Sequence, residues 1–149
     1  MEYTADITLT TTAYPKSPDD ASPAFDNNIS SGAQISSFAL GIGQDFGSQG
    51  KKIRKIRFYR GTFGTMGSVG GKVQYSNDAI NWYDTNINSI DFRYNSGVQN
   101  TWQEFLVNDY DFHRFWQIKN IGDSYTQTTE VEMMEELPST SNLLFATGL

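Results

Sequence analysis

The sequence predicts an all-β protein, a β-sandwich or jelly roll, and three observations carry that expectation. Short stretches of period-2 alternation recur along the chain, with Ile53 to Arg60 and Lys72 to Ser76 the clearest. Gly, Ser, Thr and Asn separate them, which is the composition of polar turns. Aromatic residues form 14% of 149 residues, enough bulk for one core in a chain of single-domain size.

Taken in order, Ile7, Leu9 and Thr11 alternate with threonines, so Ile7 to Thr12 is expected to open the fold as a strand. Tyr14 to Pro23 holds Pro15, Pro18 and Pro23 with Asp19 and Asp20, and reads as a loop. A short turn or helix is expected near Ala24-Phe25, limited by Gly32, and Phe38 to Phe46 reads as a loop entering a short strand. Ile53 to Arg60 is a strand with Ile56 and Phe58 on one face and Arg57 and Tyr59 on the other. Gly61 to Gly71 is a glycine-rich connection. It is no phosphate cradle, because Gly71-Lys72 runs into a strand where a P-loop requires a helix.

Lys72 to Ser76 is the next strand, with Val73 and Tyr75 on one face. Asn77-Asp78 supplies a turn, and Trp82-Tyr83 starts another short strand. Asp91 to Asn100 is ambiguous: Phe92 and Tyr94 alternate with Asp91 and Arg93. Thr101 to Val107, His113 to Lys119 and Thr128 to Met134 complete the set. Residues 1–137 are expected to form one domain. In the tail, 138–149, a polar spacer Ser139-Thr140-Ser141-Asn142 precedes the apolar Leu143-Leu144-Phe145-Ala146. Such a tail can be disordered, fold back, or dock on a neighbouring subunit.

Charge and composition exclude several functions. A net charge of -6 argues against nucleic acid as the main partner. The run Lys51 to Arg57 is interleaved with apolar residues and reads as the solvent side of a strand. No stretch approaches the roughly 20 apolar residues of a membrane span, so no membrane insertion is expected. The first residues, Met1 to Asp6, show no signal peptide. The chain has no cysteine, which removes disulfides and thiolate chemistry together. His113 is the single histidine, and Asp19-Asp20 and Glu135-Glu136 sit in loops or at an exposed end. No active site is read, and the expectation is a protein that is not an enzyme.

Four segments in order resemble a known family. Ala24-Phe25-Asp26-Asn27-Asn28-Ile29-Ser30-Ser31 is similar to the "AFDGNxxT" segment of discoidin-like domains. Ile42-Gly43-Gln44-Asp45-Phe46-Gly47 followed by Ile53 to Arg57 resembles their "IGxDFG" stretch and next strand. Val73 to Trp82 resembles "VQYSNDGxNW". Arg114 to Ile118 with Thr129 to Met133 resembles the closing "RYWRI … AEIEV" strands. The group includes coagulation-factor C domains and galactose-binding-like carbohydrate-binding modules; the two cysteines that bridge the termini of the coagulation-factor domains are absent here, so the resemblance is nearer to the bacterial or viral branch. Asn27 and Ala79 stand where the family often has Gly.

The resemblance implies an antiparallel jelly-roll β-sandwich that binds through loops at one end. It implies a structural Ca²⁺ held by Asp26, Asn28, Ser31 and Glu130, with backbone carbonyls completing the shell. The alternative is a metal-free loop in which Asp26 caps backbone N–H groups. The expected ligand is a cell-surface or polymeric carbohydrate, gripped by aromatic faces and planar hydrogen-bonding groups. Candidates are Arg60, Phe63, Phe38, Trp102 and Tyr125. The expected setting is extracellular. A second expectation is an assembly subunit of a virus particle, at the virion surface, partnering other virion subunits or copies of itself.

Overall fold

Residues whose side chains alternate between apolar and polar bury the apolar set by pairing strands and stacking the resulting sheets. In a computed structural model, which describes residues 1–37, 39–61, 69–92, 100–121 and 126–138, that is the outcome. The strands are β1 (Ala13–Tyr14), β2 (Ala33–Ile35), β3 (Ile42–Asp45), β4 (Lys55–Arg60), β5 (Val69–Ser76) and β6 (Tyr83–Asp84). They continue with β7 (Ile90–Asp91), β8 (Thr101–Leu106), β9 (Phe115–Lys119), β10 (Thr126–Thr128) and β11 (Glu130–Met134). One sheet runs β1-β3-β9-β5-β6, with β7 also on β5; a second runs β11-β4-β8; β2 and β10 form a ribbon. Every strand pairing is antiparallel.

Between the two larger sheets lie Ile42, Val73, Trp116 and Ile118 from one and Ile56, Phe58, Val131 and Met133 from the other, all with no exposed surface. Burying such side chains contributes roughly 1.5–3 kcal/mol apiece. The expected antiparallel sandwich is therefore the observed one. Gly41 and Gly43 let the chain lie close on β9: a Cβ at Gly41 would stand 1.9 Å from the Ile118 carbonyl oxygen.

Several boundaries differ from expectation. Ile7 to Thr12 is not a strand; Thr10–Thr12 is a 3₁₀ turn and β1 begins at Ala13. The N-terminal segment does run beside β11, with Ile7 N–H donating to Met133 O. However, the Asp6 carboxylate accepts the Met133 and Thr8 N–H groups, replacing ladder bonds with side-chain ones. The glycine-rich connection ends earlier than expected, because β5 already starts at Val69. His113 is outside β9, bridging to Lys51. Thr129 splits the last strand: its hydroxyl donates to Tyr59 O at 2.6 Å and accepts from Gly61 N–H at 3.2 Å.

Register gathers many strand ends at one end of the sandwich. Arg60 pairs with Thr101, Lys72 with Lys119, Ile42 with Ile118, and Ile35 with Thr126. The end of β4, the starts of β5 and β8, the end of β9 and the end of β2 thus lie together. Among the described residues no helix is long and apolar enough to cross a membrane.

Candidate functional site

Two structural features define this end of the molecule: a polar loop closed over β11, and a set of strand ends braced from beneath.

The loop begins where Pro23 in a 3₁₀ turn, Ser22–Phe25, delivers Asp26. Asn27 follows in the left-handed region at φ 59°, which its short polar side chain tolerates. The Asp26 carboxylate accepts Asn28 N–H at 3.0 Å and the Ser31 hydroxyl at 2.6 Å. Ser31 Oγ is also 3.1 Å from Asn28 O and 3.4 Å from Pro23 O. Oxygens from Pro23, Asp26, Asn28 and Ser31 therefore converge. The Asn28 side chain turns elsewhere, accepting Ser30 N–H at 2.9 Å, so this residue offers its carbonyl to the cluster.

Glu130 opens β11 against this loop. By strand parity it belongs with the partly exposed Glu132, yet it is 1% exposed. Both carboxylate oxygens are buried without a hydrogen-bond partner. Burial raises its pKa to about 8; the Asn27 and Asn28 N–H groups offset this only partly, and Asp26 and Asp6 add repulsion. A buried carboxylate with two orphaned oxygens is costly unless a cation or proton meets it. The donor set here, carboxylates, a hydroxyl and carbonyls, is the hard-oxygen chemistry that suits Ca²⁺. No cluster of three or more acidic or histidine side chains occurs among the described residues, so neutral oxygens would have to supply much of any shell.

Arg60 is fully buried. Its Nε donates to Phe92 O at 2.9 Å and its Nη1 to Gly61 O at 3.0 Å. Those carbonyls belong to the residue after β7 and the residue after β4, so the guanidinium ties the ends of these two strands together. Arg60 shares the core parity of Ile56 and Phe58, a signal present in the sequence and missed there. Trp102 is partly exposed on the outer face of the three-stranded sheet, with Arg57 Cζ 4.0 Å from its ring and Tyr59 5.5 Å away edge-on. Its flat face is thus already occupied. Phe38, Phe63 and Tyr125 lie outside the described residues. So does the tail from Ser139.

Sequence reasoning also missed a polar chain on the outer face of the six-stranded sheet. Gln117, fully buried, accepts Gly41 N–H at 2.6 Å and donates to Gln74 at 2.9 Å. Gln74 donates to Asp84 at 2.8 Å, and Asp84 accepts Lys72 Nζ at 2.6 Å. Alternation against Val73 and Ile118 could have put Lys72, Gln74, Gln117 and Lys119 on one face.

The antiparallel sandwich is the fold of discoidin-like domains, shared by F5/8 type C domains and CBM32 carbohydrate-binding modules. Compared by sequence, the chain matches no family model and no curated protein. Among solved structures it is similar to truncated AlyQ with CBM32 and alginate lyase domains, with a TM-score of 0.59 and 20% identity over 94% of this chain. The chain spans 35% of that protein. The CBM32 of AlyQ in complex with 4,5-unsaturated mannuronic acid gives a TM-score of 0.59 and 17% identity, covering 91% of this chain and 100% of that one. The family 32 module of Clostridium perfringens NanJ in complex with galactose gives 0.56 and 17%, covering 90% and 100%.

Proposed function

We propose that this domain is a non-catalytic carbohydrate-binding module that takes its ligand at the loop end and is stiffened by a structural Ca²⁺. The observation that carries the reading is the likeness, over nine-tenths of the chain, to modules solved with sugars bound. At these identities the likeness speaks for the scaffold, and the gathering of strand ends at one end supports the location. Phe38, Phe63 and Tyr125 are the proposed stacking residues. Arg60 is a positioning residue, since its donors are engaged with the backbone carbonyls of Phe92 and Gly61. Trp102 is the weakest of the five, because Arg57 covers its ring.

Asp26 and Ser31 through their side chains, Pro23 and Asn28 through their carbonyls, and Glu130 through its orphaned carboxylate would hold the ion. Bound there, Ca²⁺ neutralises Glu130 and ties the loop to β11 without taking part in any reaction.

The test is a glycan array followed by titration calorimetry. Wild-type protein is expected to bind at least one glycan, and Phe63→Ala to weaken it by roughly tenfold or more, the scale of a lost stacking contact with its ordering. An array without a single binder would defeat the function. Undiminished binding by Phe38→Ala, Phe63→Ala and Tyr125→Ala would defeat the site.

A further inference from the structure

We propose that the saccharide is an acidic one and that its carboxylate is received by Lys119, beside Lys72, on the outer face of the six-stranded sheet. The inference rests on the carbohydrate reading above and names the class of sugar.

Lys119 closes β9 and Lys72 faces it directly across the ladder. Their neighbours Ile118 and Val73 point into the core, so both lysines project from the other side of the sheet. Cross-strand Cβ atoms in such a pair stand about 4.5–5.5 Å apart, and like charges directly opposite destabilise a sheet. The two differ in how they are satisfied. Lys72 has Asp84 at 2.6 Å. Lys119 has three donors, no carboxylate partner among the described residues, and one long contact, 3.4 Å to Asn120 O.

Lys119 is also partly buried, beside the point where Gly41 crosses close over β9. Burial, and then the charge on Lys72, hold its ammonium below the ordinary lysine range. A partly desolvated cation facing another cation is an arrangement that a bound anion relieves. The position fits a ligand, since β9 ends and β5 begins at the end where the loops gather.

The surroundings specify a sugar acid better than a bare anion. The amides of Gln74 and Gln117 and the Asp84 carboxylate form a fixed polar strip leading away from the lysines. Gln117 is buried and holds Gln74 in place, so the groups left to meet the hydroxyls beside a uronate carboxylate are the partly exposed Gln74 and the exposed Asp84. The protein as a whole carries a charge of -6, which repels a polyanion at long range. A preference for acidic sugars would therefore have to come from this local site.

The experiment compares tetrasaccharides of mannuronic, guluronic, galacturonic and glucuronic acid with their methyl esters, by calorimetry on the full chain. At least one free acid is expected to bind roughly tenfold tighter than its ester, the scale of a charge-assisted contact. Lys119→Gln should erase that preference, and Lys119→Arg should retain it. Asp84→Asn, which removes the competitor for Lys72, should strengthen acid binding severalfold. A merely structural role would not produce that opposite sign. Equal binding of acids and esters, or a preference that survives Lys119→Gln, overturns the inference and leaves the carbohydrate reading standing. Failure of every acid and every ester to bind, with an array that also finds no binder, overturns both.

Discussion

Two turns in this molecule are led by an aspartate, and both carry a non-glycine residue in the left-handed region, Asn27 and Ala79. They are completed in different ways. At Asp78 the carboxylate accepts Ile80 N–H at 2.9 Å, Asn81 N–H at 2.8 Å and the Asn81 amide at 2.8 Å, with Ser76 Oγ at 3.0 Å. Those donors hold the Asp78 pKa far below the usual carboxylate range. At Asp26 the carboxylate closes its own turn too, yet the turn folds over Glu130 and leaves that carboxylate buried without partners. The first turn is finished by its own backbone. The second encloses a carboxyl group whose two oxygens meet no hydrogen bond from the chain, and burial keeps it protonated up to a pKa of about 8.

The largest effect should come from supplying a cation to that carboxyl group. Adding Ca²⁺ at about a thousandfold excess over its dissociation constant should stabilise the protein by roughly 4 kcal/mol. For a domain of this size that is a rise in Tm of roughly 8 °C or more. Glu130→Gln should abolish the Ca²⁺ response, whereas Asp78→Asn, made in the self-sufficient turn, should keep it. A melt with Ca²⁺ and with EGTA on all three proteins reads this directly. Equal midpoints for the wild type in the two conditions would remove the metal from the account.

Proton linkage separates the turns next. In EGTA, Glu130 holds a proton in the folded state up to a pKa of about 8 but loses it near 4.5 once unfolded. Between those values the folded state binds more protons, so stability falls as pH rises. The expected loss between pH 5 and pH 8 is on the order of 2–3 kcal/mol. Asp78 acts in the opposite sense: its stabilisation is present above the ordinary carboxylate range and is lost as pH falls toward its depressed folded pKa. Ca²⁺ needs ionised ligands, so in its presence the decline toward pH 8 should disappear. Urea denaturation at both pH values, with and without Ca²⁺, checks each sign. A flat profile in EGTA would mean Glu130 is not held as described.

What the sequence made legible follows the same division. Strands with sustained alternation, such as Ile53 to Arg60 and Lys72 to Ser76, were readable because one face must be buried. The strands Ala33–Ile35 and Ile90–Asp91 are too short for a period to show. Ile7 to Thr12 misled because Asp6, just before it, diverts the ladder. At the site, Asp26 and Ser31 could be placed together only through the family resemblance. The burial of Glu130 could not, because a remote loop covers it and alternation alone puts it at the surface. Arg60 was legible in parity but was read by its charge, and charge is a poor guide to exposure when loop carbonyls can satisfy a guanidinium.

The smallest expected effect tests the backbone halves of the comparison. Ala79 has φ 61° and Asn27 has φ 59°. A left-handed conformation costs an ordinary L-residue about 1–2 kcal/mol, while asparagine, whose side chain bonds locally, visits it readily. Replacing alanine by glycine relieves that strain but also loosens the unfolded chain, which returns about 0.4–1 kcal/mol. Ala79→Gly should therefore stabilise the protein by about 0.5–1 kcal/mol net, without altering the hydrogen bond from residue 79 N–H to Ser76 Oγ at 3.0 Å. Asn27→Gly, measured in EGTA, should destabilise the protein by about 0.4–1 kcal/mol, because glycine loosens the unfolded chain and there is little strain to relieve. Equilibrium denaturation of the two variants side by side makes the contrast. If Asn27→Gly gained as much as Ala79→Gly, strain would be common to both turns, and their difference would reduce to the carboxyl group enclosed by one of them.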